Sequence, residues 1–136
     1  MSKVFGLALA AFMGITGATH FTAPTYYRKL VPVWVPAAPA VVVLSGLLDI
    51  GVATLLAVPG TRRRGGWATA ALIAAYLAAH VETARHARRA RGTYKGPVGA
   101  AAALLVNLGY IAWALIVART APLPRPRSGG GARSPL

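Results

Sequence analysis

The chain carries two carboxylates, Asp49 and Glu82, and three histidines, His20, His80 and His86, among 136 residues without a cysteine. Asp49 stands at the midpoint of the run Ala40 to Val58, which is otherwise uncharged. An ionisable group in such a setting costs about 2.5 to 3.5 kcal/mol on insertion scales, so it faces protein or water rather than lipid. Asp49 is therefore a candidate proton acceptor or counter-ion. With no Lys or Arg at its depth, it is expected to keep its proton at neutral pH. His20, closing the first apolar run, is the second candidate catalytic residue. Tyr76, Asn107 and Tyr110 lie within apolar runs and, with Asp49, make a candidate pocket for a quinone. Hydrogen-bonded structural glue is the competing account of Asp49 and Asn107.

Other chemistries find less support. Alternating spans bring His20, His80, Glu82 and His86 to one face, where they are weak metal candidates. No two histidines are four residues apart on one helical turn, so the expectation is no metal. Arg85 and His86 follow Glu82 by three and four residues, which suits an ion-paired helix end. Without cysteine the chain forms no thiolate zinc site, disulfide or cysteine-ligated iron–sulfur cluster, so no redox cofactor is encoded and electrons would come through a partner or a quinone. No phosphate-binding glycine loop or nucleophile-elbow serine is present, which argues against a self-sufficient hydrolase.

The elements that position these residues follow from hydropathy. Hydrophobic residues make up 56% of the chain, and uncharged stretches recur at lengths that span about 30 Å of hydrocarbon. Spans are expected near 4–20, 40–58, 66–84 and 97–118. The fold class expected is all-α: an integral membrane four-helix bundle, up-down-up-down, over 1–119, followed by a disordered basic Pro/Gly/Ser tail, 120–136. Asp49 does not prevent insertion: the 11 Val, Leu and Ile residues of its span contribute up to about −5 kcal/mol against about +3 for the acid. A cleaved leader is the alternative reading of the first span. Gly6, Ala10, Gly14 and Ala18, one helical turn apart, instead mark a stripe for close helix packing, within the chain or in a homo-oligomer.

Positive charge is confined to the chain ends and the connections. Fifteen Lys and Arg against two acids give a formal charge of +13. Because the cations flank apolar spans, their expected partners are the bilayer, anionic lipids and a protein partner in a membrane complex, not nucleic acid. The proline-rich first connection, Phe21 to Pro39, cannot form one helix. Its Tyr26, Tyr27 and Trp34 beside Arg28 and Lys29 suit the headgroup layer. The cluster Arg62, Arg63 and Arg64 favours a plasma-membrane protein with both termini cytoplasmic, although the two faces carry eight and seven cations.

The order His20-Phe21, Tyr27-Arg28-Lys29-Leu30-Val31-Pro32, Trp34-Val35-Pro36, Leu44-Ser45-Gly46, Asp49-Ile50, Pro59 and Thr61-Arg62-Arg63 resembles the DoxX family over about a third of the chain. The family's acid is commonly Glu where Asp49 stands. Val33 replaces a frequent second proline, and Ala78-Ala79-His80 stands where many relatives have Pro-Ala-Asn. The resemblance implies a small four-helix membrane protein linked to sulfur metabolism or oxidative stress. Some relatives are membrane subunits of thiosulfate:quinone oxidoreductase; others are membrane partners of soluble oxidative-stress enzymes. The first functional expectation is thus a non-catalytic membrane subunit or scaffold for a redox or sulfur-handling partner. The second is a quinone-coupled oxidoreductase subunit using Asp49 or His20. A small proton-coupled exporter is the third, disfavoured because such transporters carry their working acid in the first span.

Overall fold

The computed structural model describes residues 2–85 and 96–122. Among the described residues there is no strand. The chain forms α1 (Ser2–Thr22), α2 (Pro24–Arg28), α3 (Ala38–Ala57), α4 (Arg62–Arg85) and α5 (Gly96–Thr120). Of these, α1, α3 and α5 are long and apolar enough to cross a membrane. The fourth expected span, α4, is not in that set: three arginines open it, and Tyr76, His80 and Glu82 dilute its apolar run. His86 and the cations Arg88, Arg89, Arg91 and Lys95 of the third connection lie outside the described residues, as does the expected tail from 123 onward. Of the first residues of that stretch, Thr120 ends α5 and Ala121 is buried.

Local chemistry sets the helix ends. Pro24 opens α2 and Pro39 lies in the first turn of α3, positions where a missing N–H costs nothing. Ala37, the residue before α3, is left-handed (φ 56°, ψ 44°), a conformation that costs a non-glycine residue about 1 kcal/mol or more. At the other end of α3 the last four carbonyls are all satisfied. Thr54 O accepts from the Val58 N–H, and Leu55 O from the Thr61 hydroxyl at 2.8 Å. Leu56 O and Ala57 O accept from Arg62 Nε and Nη2 at 2.8 and 2.9 Å. Arg62 is buried, its cation set against the negative end of the α3 dipole. The sequence counted it among three arginines that mark the cytoplasmic face. It is instead an internal cap, which leaves Arg63 and Arg64 to carry that argument.

The helices approach closely through glycine, along a line that shares Gly6 and Ala10 with the expected stripe and then shifts by one residue. Ala18 is exposed and Gly14 only half-buried. The contact runs through Gly6, Ala10, Met13, Gly17 and His20, spaced three and four residues apart on one face. A Cβ on Gly17 would lie 2.9 Å from Gly46 O, and one on Gly46 would lie 3.0 Å from Gly17 O. Gly6 leaves room for the Arg62 side chain. Gly65 and Gly66 face opposite ways, against the Leu55–Leu56 backbone of α3 and the Ala118 backbone of α5. These contacts tighten one end of the bundle around Leu9, Met13, Leu56, Ile73 and Val117. The opposite end is left open enough to hold a cavity.

Candidate functional site

Pairing is antiparallel between α1 and α3: Gly14 faces Ala53, Gly17 faces Gly46 and Asp49, and His20 faces Gly46. On this register α3 runs some six residues, about 9 Å, past the end of α1. The first connection folds into that overhang and roofs a cavity of about 520 Å³, within the range of small-molecule sites. Phe12, Thr16 and His20 line it from α1, Val41, Ser45 and Asp49 from α3, Ile73, Tyr76 and Ala79 from α4, and Asn107 and Tyr110 from α5. Tyr27, Leu30, Val31, Pro32, Trp34 and Val35 form the roof. The connection read as a headgroup anchor is thus also a wall of the site.

Asp49 is 0% exposed. The Tyr76 hydroxyl is 3.1 Å from Asp49 Oδ1 and 3.2 Å from Ser45 O. It has one hydrogen to give and two acceptors within reach. Asp49 Oδ2 is buried without a hydrogen-bond partner. Its neighbour His20 Nδ1 is 3.7 Å away, beyond hydrogen-bond range. His20 Nδ1 is 2.9 Å from Thr16 O; because a carbonyl only accepts, Nδ1 carries the hydrogen and the neutral ring keeps Nε2 as an acceptor.

A second layer holds the His20 ring. Tyr27, from α2, stacks on it with centroids 3.7 Å apart. The Thr19 hydroxyl donates to Thr16 O at 2.6 Å, so the 2.6 Å contact between Tyr27 and Thr19 has the Tyr27 hydroxyl as donor. The imidazole is therefore fixed on one edge by its own helix and on one face by Tyr27. Pro24 at the start of α2, directly after α1, is the sequence signal that turns Tyr27 back toward His20.

The candidates from sequence gather more tightly than their spacing implied. Spacing set His20 at a span end and Asp49 at a span middle; the overhang of α3 brings them together. Asp49, Tyr76, Asn107 and Tyr110 line one cavity, with His80 and Glu82 also on its wall. Both acidic residues of the chain thus lie on the wall of the same cavity, because it follows α4 for about 9 Å from Tyr76 to Glu82. Thr16, Thr69 and Asn107 donate to carbonyls of their own helices, Phe12 O, Gly65 O and Ala103 O. Ser and Thr do this wherever a carbonyl four residues back is the nearest acceptor. Tyr110 packs against Phe12, centroids 4.4 Å apart. Of the weak metal candidates, His86 lies outside the described residues, and among the described residues no three His, Asp or Glu side chains are grouped to hold a metal ion.

No curated protein and no solved structure matches the chain. A family model does match, over residues 9–118, a stretch that contains every lining residue from Phe12 to Tyr110. The chain belongs to the family described as domain of unknown function DUF8561.

Proposed function

We propose that the protein is a DoxX-like integral membrane subunit whose four long helices, α1, α3, α4 and α5, cross the plasma membrane up-down-up-down and bind a lipophilic molecule of the quinone class between them. The observation that carries this reading is Asp49: a fully buried carboxyl with one oxygen unpartnered, on the wall of a largely apolar cavity. A scaffold alone has no use for such a group, and an unmet polar atom in an apolar interior costs about 1 to 3 kcal/mol. The geometry therefore favours ligand binding over the purely structural role that composition suggested first. The aromatic walls suit a planar ring, and the length of the cavity suits a prenyl or alkyl chain.

A bound quinone would supply two-electron, two-proton chemistry; the chain's own residues would bind, orient and exchange protons. Asp49 would hold a proton on Oδ1, beside the Tyr76 hydroxyl, and accept the ligand's hydrogen bond at Oδ2, and His20 would stand beside it. Electrons would come from a soluble partner recruited by the cationic connections. The test is purification from native membranes in mild detergent, followed by extraction of lipophilic cofactors and titration with a short-chain quinol, the reduced form. Co-extracted quinone and saturable binding weakened about tenfold by Asp49→Leu are expected. A preparation with no quinone and no saturable binding would refute the proposal.

A further inference from the structure

The hydrogen-bond inventory around Asp49 constrains what the cavity accepts. When the carboxyl is ionised, Tyr76 donates to Oδ1, and Oδ2 is an acceptor. When it is neutral, the proton has a partner on Oδ1 and none on Oδ2. On Oδ1 it donates to the Tyr76 oxygen, 3.1 Å away, and Tyr76 passes its own hydrogen to Ser45 O, 3.2 Å away. That arrangement makes two hydrogen bonds, whereas a proton on Oδ2 leaves one bond and an orphaned O–H. Oδ2 is thus an acceptor in both protonation states of the empty site; a carbonyl brought to it could draw the proton to Oδ2, but that arrangement makes two hydrogen bonds where a ligand hydroxyl makes three.

We infer that the cavity selects a lipophilic molecule carrying a hydroxyl, which donates one hydrogen bond to Asp49 Oδ2, over the corresponding carbonyl or ether. This rests on the cavity being a ligand site as proposed above, and it specifies the chemical form bound: the reduced, hydroxyl-bearing ring rather than the oxidised one. One donor matches the need. Among the described residues only Asp49 Oδ2 and Trp113 Nε1 are buried side-chain atoms without a partner, and the Trp113 nitrogen is a donor whose residue does not line the cavity. A primary ammonium would satisfy Oδ2 but bring two further N–H groups into a largely apolar space.

The experiment measures dissociation constants of the full chain in detergent, corrected for micelle partition. The probes are a 4-alkylphenol, its methyl ether, and a tertiary amine of the same chain length. The phenol is expected to bind about tenfold or more tightly than the ether, the consequence of leaving a buried acceptor unmet. Asp49→Asn, which places amide hydrogens where Oδ2 stood, should bring that ratio close to one. Equal affinities for phenol and ether in the wild type, an unchanged ratio in Asp49→Asn, or tighter binding of the amine would each overturn the inference while leaving a ligand cavity standing. Binding of none of the three would remove both. The wild-type comparison decides the matter even if Asp49→Asn does not fold.

Discussion

Replacing Gly46 with alanine tests the crossing that brings His20 to Asp49. A Cβ there would lie 2.8 Å from His20 Cβ, 2.8 Å from Phe21 Cε2 and 3.0 Å from Gly17 O. The Phe21 ring can rotate away, but His20 Cβ and the Gly17 carbonyl move only with α1. Carbon contacts settle at about 3.5 to 4.0 Å, so the helices must part by roughly 0.7 Å or more. Overpacking of this kind costs about 1 to 3 kcal/mol. Against it stands the helix preference of Ala over Gly, about 0.8 to 1 kcal/mol. The net expectation is destabilisation by up to about 2 kcal/mol. Gly51, one and a half turns along the same helix, has nothing within 4 Å of its would-be Cβ. Gly51→Ala should therefore show the propensity gain alone, a stabilisation of up to about 1 kcal/mol. Thermal unfolding of both variants, followed by helical circular dichroism in one detergent, should shift the midpoints in opposite directions. If Gly46→Ala stabilises as much as Gly51→Ala, α1 and α3 do not cross where the two glycines meet.

Arg62→Ala should lower stability by about 2 to 4 kcal/mol, because it leaves Leu56 O and Ala57 O without their donors and opens space beside Gly6; Arg62→Lys should recover less than half, since one ammonium does not reproduce the fork. Denaturant titration of the two variants measures this, and full recovery by lysine would contradict the cap. Ala37→Gly should raise stability by up to about 1 kcal/mol by relieving the left-handed backbone, whereas Ala37→Val should lower it, both read as unfolding midpoints. Because the chain has no cysteine, Ser2→Cys and Ser128→Cys can be probed one at a time with a membrane-impermeant thiol reagent. Both are expected to react only once the cytoplasmic face is opened, and labelling of either from outside in sealed cells would reverse the proposed orientation.

Asp49 stood out from the sequence because a single acid in a long apolar run is conspicuous without any neighbour. The same holds for helical class, since α1, α3 and α5 each declare themselves by a continuous apolar stretch of about 20 residues. The Gly6–Ala18 stripe shows where such reading stops. Gly14 and Gly17 are equally small, and only the partner helix decides which of them is the crossing point. Tyr27 was legible as an amphipathic ring near a span end, but its stacking on His20 depends on the path that Pro24 imposes after α1. Arg62 was indistinguishable from Arg63 and Arg64 until the end of α3 supplied two carbonyls and Gly6 supplied the room.

The sequence by itself therefore determined the helices, the scarcity of charge within them and the identity of the acid, because these depend on residues a few positions apart. The tertiary structure alone decided that α3 overshoots α1, that the first connection folds into the gap, and that Tyr76 takes one carboxylate oxygen while the other is left unpartnered. Those outcomes follow from how closely two backbones approach at Gly17 and Gly46. That distance is set by the packing of side chains far apart in the chain, which no local pattern records.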